Sequence, residues 1–567
     1  GGPAPDDDPD DLIGRAYEPA AAAAGRYQLW MAGEVFAAPF MEVRDVAFSR
    51  TREFRQALLD HVLDHGLTAL GRMDGEFVIA LWDGVNRQLR IINDRFGGLP
   101  FYQGASPAGF GFAGGVRGVL MAPGISADPD PDAIREAVTF GGYRLGDRTN
   151  VAGVKMLPGA TALSVVGNRI ATEKYWHWTD IPPVARRPMP ELVEEIDRLF
   201  TRAVDRRLSG AARPGQTLSG GLDSRAILAS AAPRIARWTA ITFGVPGCDD
   251  ARYGYEAARV ADATWVFYPL YSGGRPDWLL RRASLVQPTD GLIDLVDLMH
   301  VDTLAVQVPL IDVHLSGYIG DLVSGPTFAK VVDAESLLFH MPYYGGELGF
   351  PLDVARARMA DTVKGLDGAA PRFGFFTDKG PQSTNRWSAA WRPWLRVRKP
   401  FVDYAFFDFC QGLDVDVRVG GALHERWLLQ KYPAFFANIP NQKTGMPVMT
   451  PRWRIDVDRA RRAALRRAAP LLEQLGRPRA PRLRSFTNDG VEWRRPEARA
   501  LIEGTILRPD SLSCGIFGRE RVRQVVAAWF DRLAAPTQVI GALYVFESYH
   551  QHLPAHLAQA RAPEVLA

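Results

Sequence analysis

Cysteine is nearly absent from this chain: three in 567 residues, Cys248, Cys410 and Cys514. A small, odd and widely spaced set excludes a disulfide framework and predicts a reducing, cytoplasmic setting. None stands in a CxxC pair or beside a histidine at metal-ligand spacing, so no zinc site is expected. An excess of one charge is also missing. Lys and Arg number 67 against 64 Asp and Glu, a net charge of +3, which argues against nucleic acid as a partner. No apolar run reaches the roughly 18 residues of a spanning helix, so no membrane span is expected. The first residues, Gly1-Gly2-Pro3-Ala4-Pro5-Asp6-Asp7-Asp8, lack the basic and apolar regions of a signal peptide. Residues 1–25 read instead as a flexible acidic tail. There is no G-x-x-x-x-G-K phosphate loop, and no internal repeat.

What is present is globular: 47% hydrophobic and 23% charged residues. The length calls for two or more domains. Residues 26–180 read as β-rich. Phe77–Trp82 and Leu89–Ile92 are strand-like runs joined by Asp83-Gly84, a hairpin signal, and Phe110–Ala113 is a third strand. Helices are expected over about 53–65 and 130–140. Residues 181–190 hold four prolines, cannot propagate a helix or central strand, and read as a linker. From 191 to 567 the pattern changes. Glu191–Arg207 is an amphipathic helix with Leu192, Ile196, Leu199, Phe200 and Ala203 on one face. Strands at Trp238–Phe243, Trp265–Tyr268 and Leu310–Leu315 alternate with helices over about 251–262, 276–287 and 295–306. Such alternation predicts a doubly wound parallel sheet with ligands at the carboxyl ends of its strands. Beyond 350 the chain reads as mostly helical. The fold class is therefore α/β, or α+β taken over both domains.

The chemistry concentrates in Ser219-Gly220-Gly221-Leu222-Asp223-Ser224, which follows Thr217-Leu218 and opens a helix. A glycine pair flanked by hydroxyls at a strand-to-helix turn lets backbone N–H groups and the helix dipole converge on an anion. Asp223 beside such a cradle would repel phosphate, but it suits a magnesium ion that bridges carboxylate and phosphates. The plainer reading is a Ser/Gly turn with a capping Asp. The hexapeptide resembles the pyrophosphate loop of the ATP-pyrophosphatase families, which implies ATP and Mg²⁺.

Two further sets of residues extend the resemblance. Gly71–Phe77, Ala80–Asp83 and Asn93–Tyr102 resemble the glutaminase-type N-terminal domain of asparagine synthetases, and Gly146–Thr149, Gly153-Val154, Leu157–Gly159 and Tyr175-Trp176 continue the match. In the second half Ser219–Ser224, Thr242–Asp250, Ser316–Asp321, Arg398–Asp403 and Lys443–Pro447 follow in the same order. The resemblance implies an Ntn-hydrolase-like β-sandwich followed by an ATP-pyrophosphatase domain. It also marks two departures. Glutamine-hydrolysing relatives use an N-terminal cysteine, and here no cysteine precedes Cys248, so a degenerate first domain without thiolate chemistry is expected. Asparagine synthetases carry Glu where this chain has Tyr318, and in this the chain resembles the β-lactam synthetases. The run Ile439–Pro447 and the long stretch between Asp321 and Arg398 look more like the lasso peptide cyclases.

These likenesses imply roles residue by residue. Leu218, Phe243 and Gly244 take adenine positions, though Leu218 and Phe243 would serve equally as strand core. Ser219, Gly220, Gly221, Ser224, Ser316 and Gly317 line the nucleotide site, and Asp223 and Asp321 hold magnesium. For Asp321, helix capping is the simpler alternative. Lys443 stabilises charge as the acyl group is transferred. A tyrosine phenol ordinarily loses its proton near ~10, so Tyr318 needs a carboxylate partner to act as base, and Glu347 is the candidate. The expected partners are a precursor peptide as substrate, a leader peptidase and a leader-binding protein. The stretch Arg386–Arg396 reads either as a peptide channel or as seam packing with solvated arginines, and the arginines at 459–467 as a solvated helix face.

Overall fold

The computed structural model describes residues 26–271, 277–325, 333, 336–338, 343–364, 376, 380, 382, 385–474, 486–487, 489–532 and 537–561. The tail 1–25 and parts of the stretch between Asp321 and Arg398 lie outside them.

The first half forms two antiparallel sheets. Strands β1 (Tyr27–Ala37), β2 (Asp74–Asp83), β3 (Gln88–Asn93), β7 (Thr161–Val166) and β8 (Arg169–Lys174) make one, in the order β1-β2-β3-β7-β8. Strands β4 (Tyr102–Ser106), β5 (Gly109–Ala113) and β6 (Lys155–Met156) make the other, in the order β5-β4-β6. Alternation along β2 explains the layering. Phe77, Ile79 and Leu81 pack with Phe54, Leu58, Leu59 and Val62 of helix α1 (Arg52–His65). Val78 turns the other way and joins Ile91, Leu163, Phe101 and Leu157 between the sheets. The predicted hairpin at Asp83-Gly84 is present, with Asp83 paired to Gln88. Helix α2 (Pro131–Thr139) starts at Asp130, whose side chain accepts from the N–H groups of Asp132 and Ala133, as an N-cap aspartate should.

Helix α3 (Met189–Leu208) opens the second half two residues ahead of the predicted Glu191, because Pro190 fits the first turn of a helix. Its expected apolar face, Leu192, Ile196, Leu199, Phe200 and Ala203, is buried. A sheet of five parallel strands follows: β9 (Pro214–Thr217), β10 (Thr239–Gly244), β11 (Thr264–Pro269), β12 (Val313–Leu315) and β13 (Arg396–Arg398). Their order is β11-β10-β9-β12-β13, and every pairing is parallel. Helices α4 (Leu222–Ala231) and α5 (Asp249–Val260) connect β9 to β10 and β10 to β11. From β9 the chain lays β10 and β11 on one side and then β12 and β13 on the other. The order reverses between β9 and β12, and a doubly wound sheet opens its ligand crevice at that reversal.

Several expectations are corrected in detail. The helix over 295–306 is two short helices, Leu298–Asp302 and Leu304–Gln307, and the strand at Leu310–Leu315 shortens to Val313–Leu315. Strand β13 falls in a region read as helical, since Arg396-Val397-Arg398 is too short to show a period. No helix among the described residues is long and apolar enough to cross a membrane.

The two halves meet across a seam of buried charge. Arg398 makes a bidentate pair with Glu34 of β1, Nε to Oε2 at 2.8 Å and Nη2 to Oε1 at 2.9 Å. Arg207 reaches Asp74 at 2.8 Å and Asp403 at 2.6 Å. Lys399 reaches Glu76 at 3.2 Å, and Arg392 also bonds Glu76. Of the stretch Arg386–Arg396, therefore, Arg386 and Arg392 are buried rather than solvated.

Candidate active site

The loops that leave β9 and β12 lie side by side because those strands pair directly. The first loop is Ser219–Asp223. Gly221 caps α4 with no side-chain bond, so the first-turn N–H groups of a ten-residue helix face the crevice. Ser219 and Ser224 close the loop, with their hydroxyl oxygens 3.2 Å apart and the Gly221 N–H donating to Ser219 Oγ at 3.1 Å. The second loop, Ser316–Asp321, is pressed against the first. A Cβ at Gly317 would stand 2.7 Å from the nitrogen of Ser224, and one at Gly320 would stand 2.6 Å from Cγ of Asp223. Only glycine permits that approach.

Close packing puts Asp321 on Asp223. The Asp321 N–H donates to Asp223 Oδ2 at 2.9 Å. Burial and the neighbouring Asp321 charge raise the Asp223 carboxyl to about 7, against the opposing pull of that N–H and of Lys443. Lys443 Nζ donates to Asp321 Oδ2 at 2.7 Å. Partial burial works against the ammonium, but Asp321 outweighs it by charge and hydrogen bond and raises the lysine above its ordinary value. The lysine side chain is 73% exposed and the Asp321 side chain 28%, so this triad stands at the mouth of the crevice.

A third segment, 439–447, completes the site. The Asn441 N–H donates to the carbonyl of Met446 at 2.9 Å, Gly445 bonds back to Asn441 at 2.6 Å, and the Lys443 N–H donates to Asn441 Oδ1 at 3.0 Å. That tight turn is stitched to the cradle directly, by the Gln442 N–H donating to the Gly220 carbonyl at 3.0 Å, and through two side chains. Asp250 accepts the Gly220 N–H at 2.5 Å and the Gln442 amide at 2.6 Å. Buried Arg225 donates to the carbonyls of Phe435, Ile439, Gly220 and Pro440. Lys443 thus owes its position to the cradle loop itself, to Arg225 of α4 and to Asp250 of α5.

The resulting cavity is about 430 Å³. Of the sequence-predicted residues, Leu218, Ser219, Gly221, Asp223, Ser224, Phe243, Ser316, Gly317, Tyr318, Asp321 and Lys443 line it. Gly220 lies behind the loop and serves Asp250. Gly244 lies behind Phe243, where a Cβ would meet Cys248 Sγ at 3.0 Å and the Phe486 carbonyl at 3.1 Å. Its bareness lets the segment at Phe486 reach the wall. Glu347 is not brought to the site: it is exposed and outside the cavity. Its loop is pinned to α2 instead, with the Tyr344 and Phe350 N–H groups bonded to Thr139 at 2.7 and 2.8 Å.

Asp250, His300, His424, Gln442 and Phe486 also line the cavity, though sequence reasoning gave none of them a role, and Trp387, from the stretch read as a peptide channel or as seam packing, joins them. His300 stacks on Trp387 at 5.4 Å and meets Phe243 edge-on at 5.4 Å, while Tyr318 meets Trp387 at 5.3 Å. Burial lowers both His300 and His424 to about 4, so both are neutral near pH 7. Asp250, Gln442 and Trp387 carried a signal, each lying inside a singled-out stretch. The aromatic residues come from short helices and loops that no periodicity marks.

Two carboxylates side by side, next to a helix N-terminus aimed into an open crevice, leave negative charge to be balanced from outside. Two carboxylates suit magnesium, which is held by one or two such ligands plus phosphate oxygens. No cluster of three or more potential ligands occurs among the described residues, so a cage made by the protein alone is not what is built there.

Fold and site define the class: an α/β protein, antiparallel in its first half and parallel in its second, with a crevice at the switch point of the parallel sheet. Comparison with known proteins makes it more particular. Residues 10–176 match the glutamine amidotransferase domain and residues 195–269 match asparagine synthase. Glutamine-hydrolyzing asparagine synthetase 3 of Bacillus subtilis (strain 168) is 28% identical over 192 residues, 34% of this chain and 31% of that protein. A Mycobacterium bovis protein carrying the name of a glutamine-hydrolyzing asparagine synthetase is 26% identical over 258 residues, 43% of this chain and 38% of that one. The matches span about a third of the length of these relatives. Among solved structures, glutamine phosphoribosylpyrophosphate amidotransferase of B. subtilis, complexed with ADP and GMP, covers 42% of this chain and 45% of its own at 10% identity and a TM-score of 0.17, too slight a likeness to argue from. The chain is asparagine synthetase-like in the kind and order of its domains.

Proposed function

We propose that this protein is an ATP-dependent amide-forming ligase that closes a macrolactam in a precursor peptide, the chemistry of the lasso peptide cyclases. A carboxylate is a poor acyl donor. Attack of an Asp or Glu side chain of the peptide on the α-phosphorus of ATP forms an acyl-adenylate and releases pyrophosphate. The free N-terminal amine of the same peptide then attacks the acyl carbon, and AMP departs.

The residues divide this work. The first-turn N–H groups of α4, with Ser219 and Ser224, receive pyrophosphate oxygens. Asp223 and Asp321 would hold Mg²⁺, which supplies charge neutralisation for the leaving pyrophosphate. Leu218 and Phe243 with their neighbours offer an apolar wall for the base. Lys443 stabilises the oxyanion and the α-phosphate during acyl transfer, where a fixed donor counts most in a preorganised site. Tyr318 faces the cavity beside Trp387, near where the amine must enter.

The observation that carries the reading is the meeting of Asp223, Asp321 and Lys443 at an open mouth next to the cradle. An ammonium more than half exposed at that mouth suits a substrate too large to enter the pocket whole, and it favours a peptide over a small carboxylated amino acid. Nitrogen comes from the substrate amine: the chain's cysteines, Cys248, Cys410 and Cys514, are buried, and Cys248 and Cys410 have their thiols pushed up in pKa by burial. A leader peptidase and a leader-binding protein are the partners that the likeness to the lasso peptide cyclases implies. The test is mass spectrometry of candidate linear peptides after incubation with the protein, ATP and Mg²⁺. Ring closure appears as loss of one water with one AMP formed. Release of glutamate from glutamine by the pure chain overturns the assignment of the nitrogen source.

A further inference from the structure

Ile319 has φ +62° and ψ +7°, in the left-handed region. Four other described non-glycine residues have positive φ, namely Arg87, Ala160, Asp262 and Asp290, and none of them is β-branched. For a β-branched side chain this conformation is a true outlier that persists only where its surroundings over-determine it. Such outliers are expected where strain serves a site, and Ile319 stands between Tyr318 and Asp321.

Its surroundings are unusual. Ile319 borders the active-site cavity on one side. On the other it borders a small cavity at the domain seam, about 20 Å³, walled by Glu76, Asp94 and Phe96 of the first domain and Asn385 and Lys399 of the second. That wall is fixed. Lys399 Nζ donates to Glu76 Oε2 at 3.2 Å and to Asn385 Oδ1 at 3.0 Å, and Asn385 Nδ2 donates to the Phe96 carbonyl at 2.9 Å. Phe96 and Gly98 are held by their N–H bonds to buried Asp94 at 2.9 and 3.0 Å. Downstream, the Ile319 carbonyl accepts the N–H groups of Leu322 and Val323, both at 3.0 Å. Gly320 is jammed against Asp223.

We propose that Ile319 is a positioning residue through which the first domain holds the active site. Its side chain, seated against the seam wall, keeps the backbone left-handed. That single turn aims Tyr318 at the Trp387 wall and delivers the Asp321 N–H and carboxylate to Asp223 and Lys443. The first domain then contributes to the site by shape, without supplying a reacting group.

Glycine and alanine separate this role from ordinary packing. Glycine takes a positive φ without cost, so Ile319→Gly keeps the turn although it removes the whole side chain. Ile319→Ala retains the steric cost and loses the clamp. The full chain is first studied without ligand, by hydrogen exchange at the Asp321 amide. Ile319→Ala should exchange at least about ten-fold faster than wild type, whereas Ile319→Gly and Ile319→Val should stay within about three-fold. Substrate-dependent AMP formation should follow the same order, with the loss in Ile319→Ala of about ten-fold falling on kcat rather than on KM for ATP. Packing alone predicts the reverse order, since glycine leaves the larger hole and the looser chain. Glycine equal to or worse than alanine in exchange, or alanine indistinguishable from wild type, overturns the proposal. Failure of Ile319→Ala to fold while Ile319→Gly folds supports it, and failure of Ile319→Gly to fold overturns it. The kinetic arm rests on the function proposed above and the exchange arm does not. A wild-type protein that forms no AMP, yet shows the glycine-above-alanine order in exchange, refutes that function and leaves this inference standing.

Discussion

The seam between the domains and the mouth of the crevice use the same residue types in opposite ways. At the seam acids pair with bases in a dry interior: Arg398 with Glu34, Arg207 with Asp74 and Asp403, Lys399 and Arg392 with Glu76. At the mouth two carboxylates crowd together with one exposed lysine. The seam balances its own charge and so serves the fold. The mouth does not, and an unbalanced pair beside a helix N-terminus is arranged for a ligand. Charge alone therefore does not mark a functional site; the sign of what is left over does.

The sharpest way to break that comparison is to remove a carboxylate from the mouth. Asp223→Asn and Asp321→Asn should each abolish AMP formation and leave the thermal unfolding of the chain unchanged or slightly improved, since each relieves like-charge repulsion. Product chromatography and a melting curve read the two effects. Next in size is Lys443→Ala, which should slow ring closure by roughly 10²–10³, the usual cost of one donor in a preorganised site. Pyrophosphate exchange should suffer less, and Lys443→Arg should rescue poorly because a planar fork does not replace a compact ammonium. Equal loss in both half-reactions would place Lys443 on the α-phosphate from the start.

At the seam the effect should move from activity to stability. Arg207→Met leaves two buried carboxylates without their shared partner, and breaking a buried pair in this way costs about 3–5 kcal/mol. Chemical denaturation measures it, and the residual folded fraction should keep its nucleotide chemistry. Acid should expose a distributed effect, each contribution at the lower end of that range. His300, His424 and His550 are lowered to about 4 and His314 to about 3, each chiefly by burial. The unfolded chain binds protons near pH 6.5, whereas the folded chain resists until near 4. Stability is therefore fully present above about 6.5 and lost as pH falls toward 4, by up to about 3 kcal/mol per histidine. Replacing His314 with Gln, followed across pH 4–7, should flatten that slope. The smallest expected effect is that of Glu347→Gln. Removing an exposed carboxylate outside the cavity should change neither rate nor pH profile, and loss of the acidic limb of the rate profile would return it to the mechanism.

The sequence carried the mouth far better than the seam. Ser219–Ser224 is legible because anion binding needs glycine and hydroxyl residues at a strand end, and that demand is local, whereas Ser316–Asp321 came only through its resemblance to the asparagine synthetases. Their convergence is equally readable once the strands are seen as parallel. The seam pairs join Glu34 to Arg398 and Asp74 to Arg207, residues more than a hundred positions apart, and no local pattern announces such a partner. Strand β1 went unread because Tyr27–Ala37 mixes small, polar and aromatic residues on a strand buried on both faces. The Glu347 expectation failed for a related reason: nothing in the sequence says that Thr139 ties that loop to the first domain. The aromatic wall of His300, Trp387 and Tyr318 is assembled from three unconnected segments, and only tertiary packing creates it.

The central claim is that the unbalanced charge at the mouth handles ATP in the making of an amide. Its most direct test is a single incubation without glutamine: the protein, ATP, Mg²⁺ and a linear peptide with a free N-terminus and an internal Asp or Glu, with nucleotides and peptide quantified together. The account predicts AMP and a peptide lighter by one water in equal amounts, both lost in Asp321→Asn. ADP as the product, AMP without a new amide, or unchanged yields from Asp321→Asn would contradict it.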